Sequence, residues 1–432
     1  MNDINRYKKS NEMLQRAERV IPLGSQTFSK SRTQFPAPYS PLYLERGKGS
    51  HVWDIDGNEY VDMICGLLPV SLGYGDEDVD RAIQEQLKNG ISFSLATELE
   101  IELAERLVDL IPCAEMVRFG KNGTDATSAA IRLARAYTGK DHIIALGYHG
   151  WQDWCIGATA RNLGVPEPVR KLTHKLPYND LDAVKGALAE HKGEIAAIIL
   201  EPVSATEPHE GYLEVLREMT RAENIVLIFD EVVTGFRVNL GGAQKHYGVT
   251  PDLAAFGKGM GNGMPISAVV GRADIMTLME DIFYSGTFGG ETLSLAASVA
   301  VIDKMKKENV IEHLWETGDT LSQSVEAIVG QHGLNDVLKL TGLAPWKVLN
   351  FYDAGDVPKE AIKTSFITGM LREGILIAGS HNVCFSHGNS DIDLVTDAYD
   401  MVLKNIRHTL DQGAFVENMD VAPIYPVFQV RG

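Results

Sequence analysis

The sequence predicts an α/β protein: a mostly parallel central sheet flanked by helices, with a smaller α+β domain built from both termini. Three observations carry this. From Asp76 onward, short apolar runs alternate with segments of helical spacing such as Leu99, Leu103, Leu107 and Leu110. Several runs, 225–229 and 198–200 above all, contain no polar residue, which suits strands covered on both faces. On either side of this body the pattern changes, to hairpin signals at 42–62 and to short strands between longer helices beyond about Asp303.

In chain order, residues 3–20 have the spacing of an amphipathic helix that stops before Ile21-Pro22. Residues 25–41 hold too many serines and prolines for regular structure, yet Phe28, Phe35 and Tyr39 predict that the segment packs; its cations are Lys30 and Arg32. Alternation around Gly47-Lys48-Gly49 and Asp56-Gly57-Asn58 predicts a small antiparallel sheet. The body offers strands at 116–119, 142–146, 195–200, 225–229 and 266–270. The last section reads as helices 303–330, 358–373 and 391–411 with strands at 346–351 and 375–377, and 414–432 reads as an extended surface tail. The domains expected are 1–75 and 303–432, together the smaller part, and 76–302, the larger.

Composition narrows the function. With 432 residues, 44% hydrophobic and 23% charged, the chain has the make-up of a soluble globular enzyme. A net charge of −18 argues against nucleic acid or an anionic membrane as partner, so any anionic ligand must be held by helix ends and a few local cations. The four cysteines form no CxxC or zinc spacing, which predicts structural thiols and no metal site. The N-terminus has no apolar leader core and no stretch of 18 apolar residues occurs, so a cytoplasmic location is expected.

The chemistry gathers at strand ends. The run 225–229 delivers Asp230 to the carboxyl edge of the sheet, where α/β proteins bind ligands. Lys258 follows the apolar patch 253–256 in a turn crowded by Gly257, Gly259 and Gly261. An amine to hold an aldehyde as a Schiff base and an acid to keep a pyridine nitrogen protonated are the two needs of pyridoxal phosphate. Other strand ends supply the remaining polar partners. Asn122-Gly123-Thr124 opens a helix whose N–H groups could hold a phosphate, although Thr124 also reads as an ordinary N-cap. Tyr148 and His149 follow the strand at 142–146, Glu201 ends 195–200, and Thr287 lies in the small-residue loop 285–290. Each has a bland reading alone. Their conjunction in chain order points to one cofactor.

The motifs NGTDA at 122–126, YHG at 148–150, EPV at 201–203, DEVVTGFR at 230–237, PDLAAFGKGMGNGMP at 251–265 and SGTFGG at 285–290 resemble the class III aminotransferases of fold type I. The branch they most resemble contains glutamate-1-semialdehyde 2,1-aminomutase, and the likeness covers nearly the whole chain. It implies Lys258 as the Schiff-base lysine, Asp230 as partner of the ring nitrogen, and Val232 and Tyr148 on the two ring faces. It implies Gly123 and Thr124 at the phosphate and Thr287 reaching that phosphate from the other subunit of a homodimer; Asn122, preceding the phosphate pair, and Glu201, at the same sheet edge, join them as cofactor-side candidates. The chain departs from the aminomutase pattern at 378–387, where its glutamate is absent, and at Lys30 and Leu67. The expected reaction is therefore ping-pong transamination from an amino-acid donor, glutamate first, to a polar carbonyl acceptor such as a sugar-derived one. The aminomutase is the alternative, and a non-catalytic paralogue a remote one. Substrate-side candidates are Lys30, Arg32, His149, His381 and His387.

Overall fold

A computed structural model describes residues 3–425, which divide into two compact units. The larger unit holds Leu68–Ser71 and Glu77–Ile311 and is built on seven strands: β1 (Met116–Gly120), β2 (His142–Leu146), β3 (Thr173–Lys175), β4 (Ile195–Leu200), β5 (Val226–Asp230), β6 (Leu253–Phe256) and β7 (Ser267–Gly271). Their order across the sheet is β1-β7-β6-β5-β4-β2-β3. Neighbours from β6 to β3 run parallel, and β7 lies antiparallel to both β1 and β6. The sheet is thus mostly parallel, as expected, with two corrections. The patch 253–256 is itself a strand, and the short edge strand β3 carries no apolar alternation that could announce it.

Every residue of β4, β5, β6 and β7 is buried, which explains why they are apolar apart from Asp230 and Ser267 at strand ends: helices cover both faces. Helix α1 (Gly123–Thr138) lies on one face. It starts where the Asp125 carboxylate accepts N–H groups from Lys121 and Asn122, and it ends at Gly139 with φ 68°. Its inner side is Ala126, Ala129, Ala130, Ile131, Leu133 and Ala134, packed with Ile143, Ile199, Ile228 and Val269. Small alanines let the helix lie close to the sheet, and each fully buried isoleucine or leucine in this layer contributes about 1.5–3 kcal/mol.

The smaller unit gathers the chain up to Leu67, Leu72–Asp76 and the residues from Glu312 onward. The two hairpins form Leu44–Lys48, His51–Asp54 and Glu59–Asp62, and the pair Ile375–Leu376 adds a fourth strand parallel to the last of these. A second sheet joins Leu338–Thr341, Trp346–Phe351 and Ser380–Asn382, all antiparallel. Phe366, Met370, Tyr60 and Tyr399 are fully buried in the core these elements share with helices Lys359–Arg372 and Asn389–Gln412. The helix expected over 303–330 is two helices, Thr292–Lys307 and Val310–Gln331, because Asn309 takes a left-handed φ of 49° between them. At the N-terminus the helix proper is Lys8–Ala17, and 25–41 folds into short turns with Ser31 and Ser40 buried. The tail has no regular structure as far as Tyr425, with Phe415 buried and the Ile424 N–H donating to Thr364 Oγ1; its end, 426–432, lies outside the described residues. No described helix is long and apolar enough to cross a membrane.

Candidate active site

Register places the first two groups. Strands β5 and β6 are neighbours with Asp230 opposite Ala255, so Lys258, three residues beyond Ala255, lies past the same edge of the sheet that Asp230 ends. Lys258 opens a short turn, Lys258–Gly261, with φ 41°, a left-handed conformation that non-glycine residues rarely adopt. Strain of this kind is retained where the surroundings dictate a side chain's direction.

Asp230 is buried and accepts at both oxygens. Oδ2 lies 2.8 Å from His149 Nδ1, and Oδ1 accepts the Val232 N–H at 3.1 Å. A carboxylate oxygen only accepts, so His149 Nδ1 donates. His149 is held in turn from α1, where the Thr127 hydroxyl donates to the His149 carbonyl at 2.7 Å. The adjacent Glu231 is wholly buried and caps the helix Ala243–Tyr247, accepting N–H groups from Ala243 at 2.7 Å and Gln244 at 2.9 Å and the Thr234 hydroxyl. Burial pushes its carboxyl up, and those hydrogen bonds oppose the rise. Of the two carboxylates, then, Asp230 belongs to the site and Glu231 to the frame.

The glycines show how tightly the other strand ends converge. A Cβ on Gly123 would sit 2.8 Å from Val232 Cγ1, and one on Gly257 3.6 Å from the same methyl. Val232 therefore packs between the start of α1 and the lysine turn. Gly150, with φ 124°, runs so close to α1 that a Cβ there would meet Thr124 Oγ1 at 2.3 Å. Thr124 Oγ1 is buried without a hydrogen-bond partner, in the first turn of a helix whose leading N–H groups have no acceptor inside the helix. An orphaned hydroxyl beside a helix N-terminus fits a phosphate. The residues present therefore suit a phosphorylated, cationic aromatic ring: Thr124 and the N-terminus of α1 at one end, Asp230 at the other, and Val232 at a face.

Other expected residues follow from their places in the chain. Tyr148 is half-buried directly after β2, Glu201 is buried directly after β4, and Asn122 is exposed at the start of α1. Thr287 is exposed between Phe283 and Phe288, themselves 82% and 58% exposed. The substrate-side expectations need correction. His149 is the partner of Asp230, with its side chain fully covered. His381 and His387 are interior residues of the smaller unit and not the lining of a pocket mouth. His381 Nε2 meets Tyr399 Oη at 2.7 Å, with burial pushing the imidazole down to about 3, and His387 Nδ1 accepts the Cys384 N–H at 2.9 Å. Arg32 is spent on an ion pair with Glu18, and Lys30 is exposed. Nothing in the sequence couples positions 149 and 230; only the strand order does.

The family model for class III aminotransferases matches residues 34–387. The 3-aminobutyryl-CoA aminotransferase of Cloacimonas acidaminovorans is 35% identical over 415 residues, 93% of this chain and 98% of that one. The glutamate-1-semialdehyde 2,1-aminomutase of Methanocaldococcus jannaschii is 37% identical over 413 residues, 90% of this chain and 95% of that one. Among solved structures, the FumI protein of Sphingopyxis sp. MTA144, in its PLP internal aldimine form, superposes with a TM-score of 0.87 at 29% identity, covering 96% of this chain and 99% of that one. The chain belongs to the class III aminotransferases. It has the fold type I architecture and is a pyridoxal-phosphate-dependent transaminase.

Proposed function

We propose that the chain moves an amino group from an amino-acid donor to a separate carbonyl acceptor in two half-reactions, with Lys258 as the catalytic amine. The observation that supports this is the pairing of Asp230 with Ala255, which brings the chain leading to Lys258 out at the same sheet edge as the carboxylate, together with His149 holding that carboxylate. Bound pyridoxal phosphate supplies an electron sink for the pair left on the donor's α-carbon. Thr124 and the start of α1 hold its phosphate, Val232 and Tyr148 support its ring, and Asp230 keeps the ring nitrogen protonated because a buried carboxylate beside a cation favours the charged form. Lys258 anchors the cofactor between turnovers; with the donor in place its free amine carries the proton off the α-carbon.

Glutamate is the donor to try first, on the family likeness. With His381 and His387 in the interior, the preference for a hydroxylated, sugar-derived acceptor rests on Lys30 alone, so the acceptor panel must be broad. The aminomutase reading keeps a specific support, the 34–37% identity to several proteins of that name. One experiment separates the two. The holoenzyme is loaded with the donor's amino group, freed of keto acid and offered glutamate-1-semialdehyde, aliphatic and β-keto acids and hydroxylated carbonyls, with return of the cofactor's visible absorbance as readout. Turnover that requires an added acceptor supports transamination; fast conversion of glutamate-1-semialdehyde to 5-aminolevulinate with none added overturns it. Lys258→Ala is expected to lose both turnover and the borohydride-reducible link to the cofactor, and a link that survived would place the amine elsewhere.

A further inference from the structure

Far along the same sheet, three histidines from three elements meet at its edge. His142 opens β2, His174 is the middle residue of the edge strand β3, and His191 follows helix α2 (Leu181–Glu190). His142 Nδ1 and His174 Nε2 are 2.8 Å apart. The His191 ring stacks at 4.1 Å from that of His174 and 4.9 Å from that of His142. One nitrogen from each ring lies within 4.8 Å of the other two. Glu194 Oε2 stands 3.5 Å from His191 Nδ1 and 3.9 Å from His142 Nε2, and Glu190 Oε1 is 4.0 Å from His191 Nε2. All three imidazoles are half-buried, so the cluster is reachable from solvent and its carboxylate side is open.

Three protonated imidazoles cannot share this space without repulsion. Burial, then the neighbours His191 and His142, hold His174 below its ordinary value.

We propose that His142, His174 and His191 form a binding site for a divalent transition cation of the zinc class, with Glu194 as the adjoining fourth donor. Neutral imidazole is a preferred ligand of zinc, nickel and copper, and a carboxylate completes a tetrahedral set. Nitrogens at about 2.0–2.1 Å from a tetrahedral ion stand roughly 3.3–3.4 Å apart, so the rings need shifts of about an ångström, which half-exposed side chains can make. The His142–His174 hydrogen bond gives way as its donor ring moves its proton to the other nitrogen, with no net proton released. A cation held there ties the edge strand β3 to β2 and to the end of α2.

The test uses the holoenzyme, stripped with a chelator, dialysed and titrated with Zn²⁺ against a chromophoric competitor. The wild type is expected to bind one equivalent per chain that His174→Ala and His191→Ala lose, with affinity falling about 100-fold or more, while Glu194→Gln costs roughly tenfold. Zn²⁺ should raise the unfolding midpoint of the wild type and leave that of His174→Ala where it is. His174→Gln, which keeps a polar side chain at the same half-buried position, serves as the second variant if the alanine form is unstable. Co²⁺ should give visible bands without thiolate charge transfer. This separates the site from Cys65, Cys384 and His387, whose ligand atoms also lie within 4.8 Å of one another but inside the smaller unit. Equal Zn²⁺ binding by the wild type and both His174 variants, or a thiolate signature, would overturn the proposal.

Discussion

Asp230 and Glu231 are consecutive residues with different tasks, and their partners explain why. Glu231 turns back into the protein and is saturated by backbone N–H groups and a hydroxyl, whereas Asp230 keeps one oxygen for His149 and one for the Val232 N–H. In the proposed site, Asp230→Asn retains shape and loses charge, so the protein should still fold and bind some cofactor while turnover falls roughly 10²- to 10³-fold. His149→Phe removes the N–H that orients the carboxylate. A hydrogen bond to a charged group contributes about 1.5–3 kcal/mol, so turnover should fall about 10- to 100-fold. The check on both is the pH dependence of the bound cofactor's visible spectrum beside the rate. A near-normal rate in Asp230→Asn would remove the assigned role.

At the scale of elements, the site depends on the β5–β6 register, and the opposite ends of those strands are clamped. Asp252, just before β6, accepts from the Leu227 N–H on β5 at 2.9 Å, from Arg217 at 2.6 Å and 2.8 Å, and from Arg272 at 2.8 Å. Burial pushes this carboxyl up, but the hydrogen bonds from Arg217, the Leu227 N–H and Arg272 outweigh it and hold the group below the ordinary carboxylate value. A carboxyl lowered in the folded state contributes stability that is present above its unfolded pKa and is lost as pH falls through its folded one. Asp252→Asn leaves the largely buried Arg217 uncompensated and should cost about 3–5 kcal/mol at neutral pH. Denaturant melts of wild type and variant should converge as the pH is lowered beneath the ordinary carboxylate range, and a pH-independent gap would show that charge is not the cause.

For the molecule as a whole, the exposed segment around Thr287 bears on assembly. Phe283 and Phe288 flank a threonine that the family likeness assigns to a neighbouring subunit's phosphate, and exposed aromatics of this kind mark interaction surfaces. We propose a homodimer with shared sites, so that Lys258→Ala and Thr287→Ala chains, each impaired alone, restore one intact site when mixed and reassembled. Recovery of activity in the mixture, measured against each parent, tests the exchange. No recovery, with dimers verified by mass, would place Thr287 in its own chain's site.

Residue type and local spacing by themselves determined the strand cores, Asp230 and Lys258 at strand ends, and the glycines around the lysine, because a strand covered on both faces must be apolar and a crowded turn must lack side chains. The same reading recovered both hairpins, and the resemblance of the motifs to a known family recovered the family. Tertiary structure alone decided what those ends meet. The antiparallel direction of β7 and the existence of β3 follow from pairing partners distant in sequence, which local periodicity does not record. Strand order brought His149 to Asp230 and made it a positioning group instead of a substrate contact. Long-range packing likewise drew His381 and His387 into a core and gathered His142, His174 and His191 at an edge: a histidine's sequence neighbours say little about burial, and its chemistry is set by what the fold places around it.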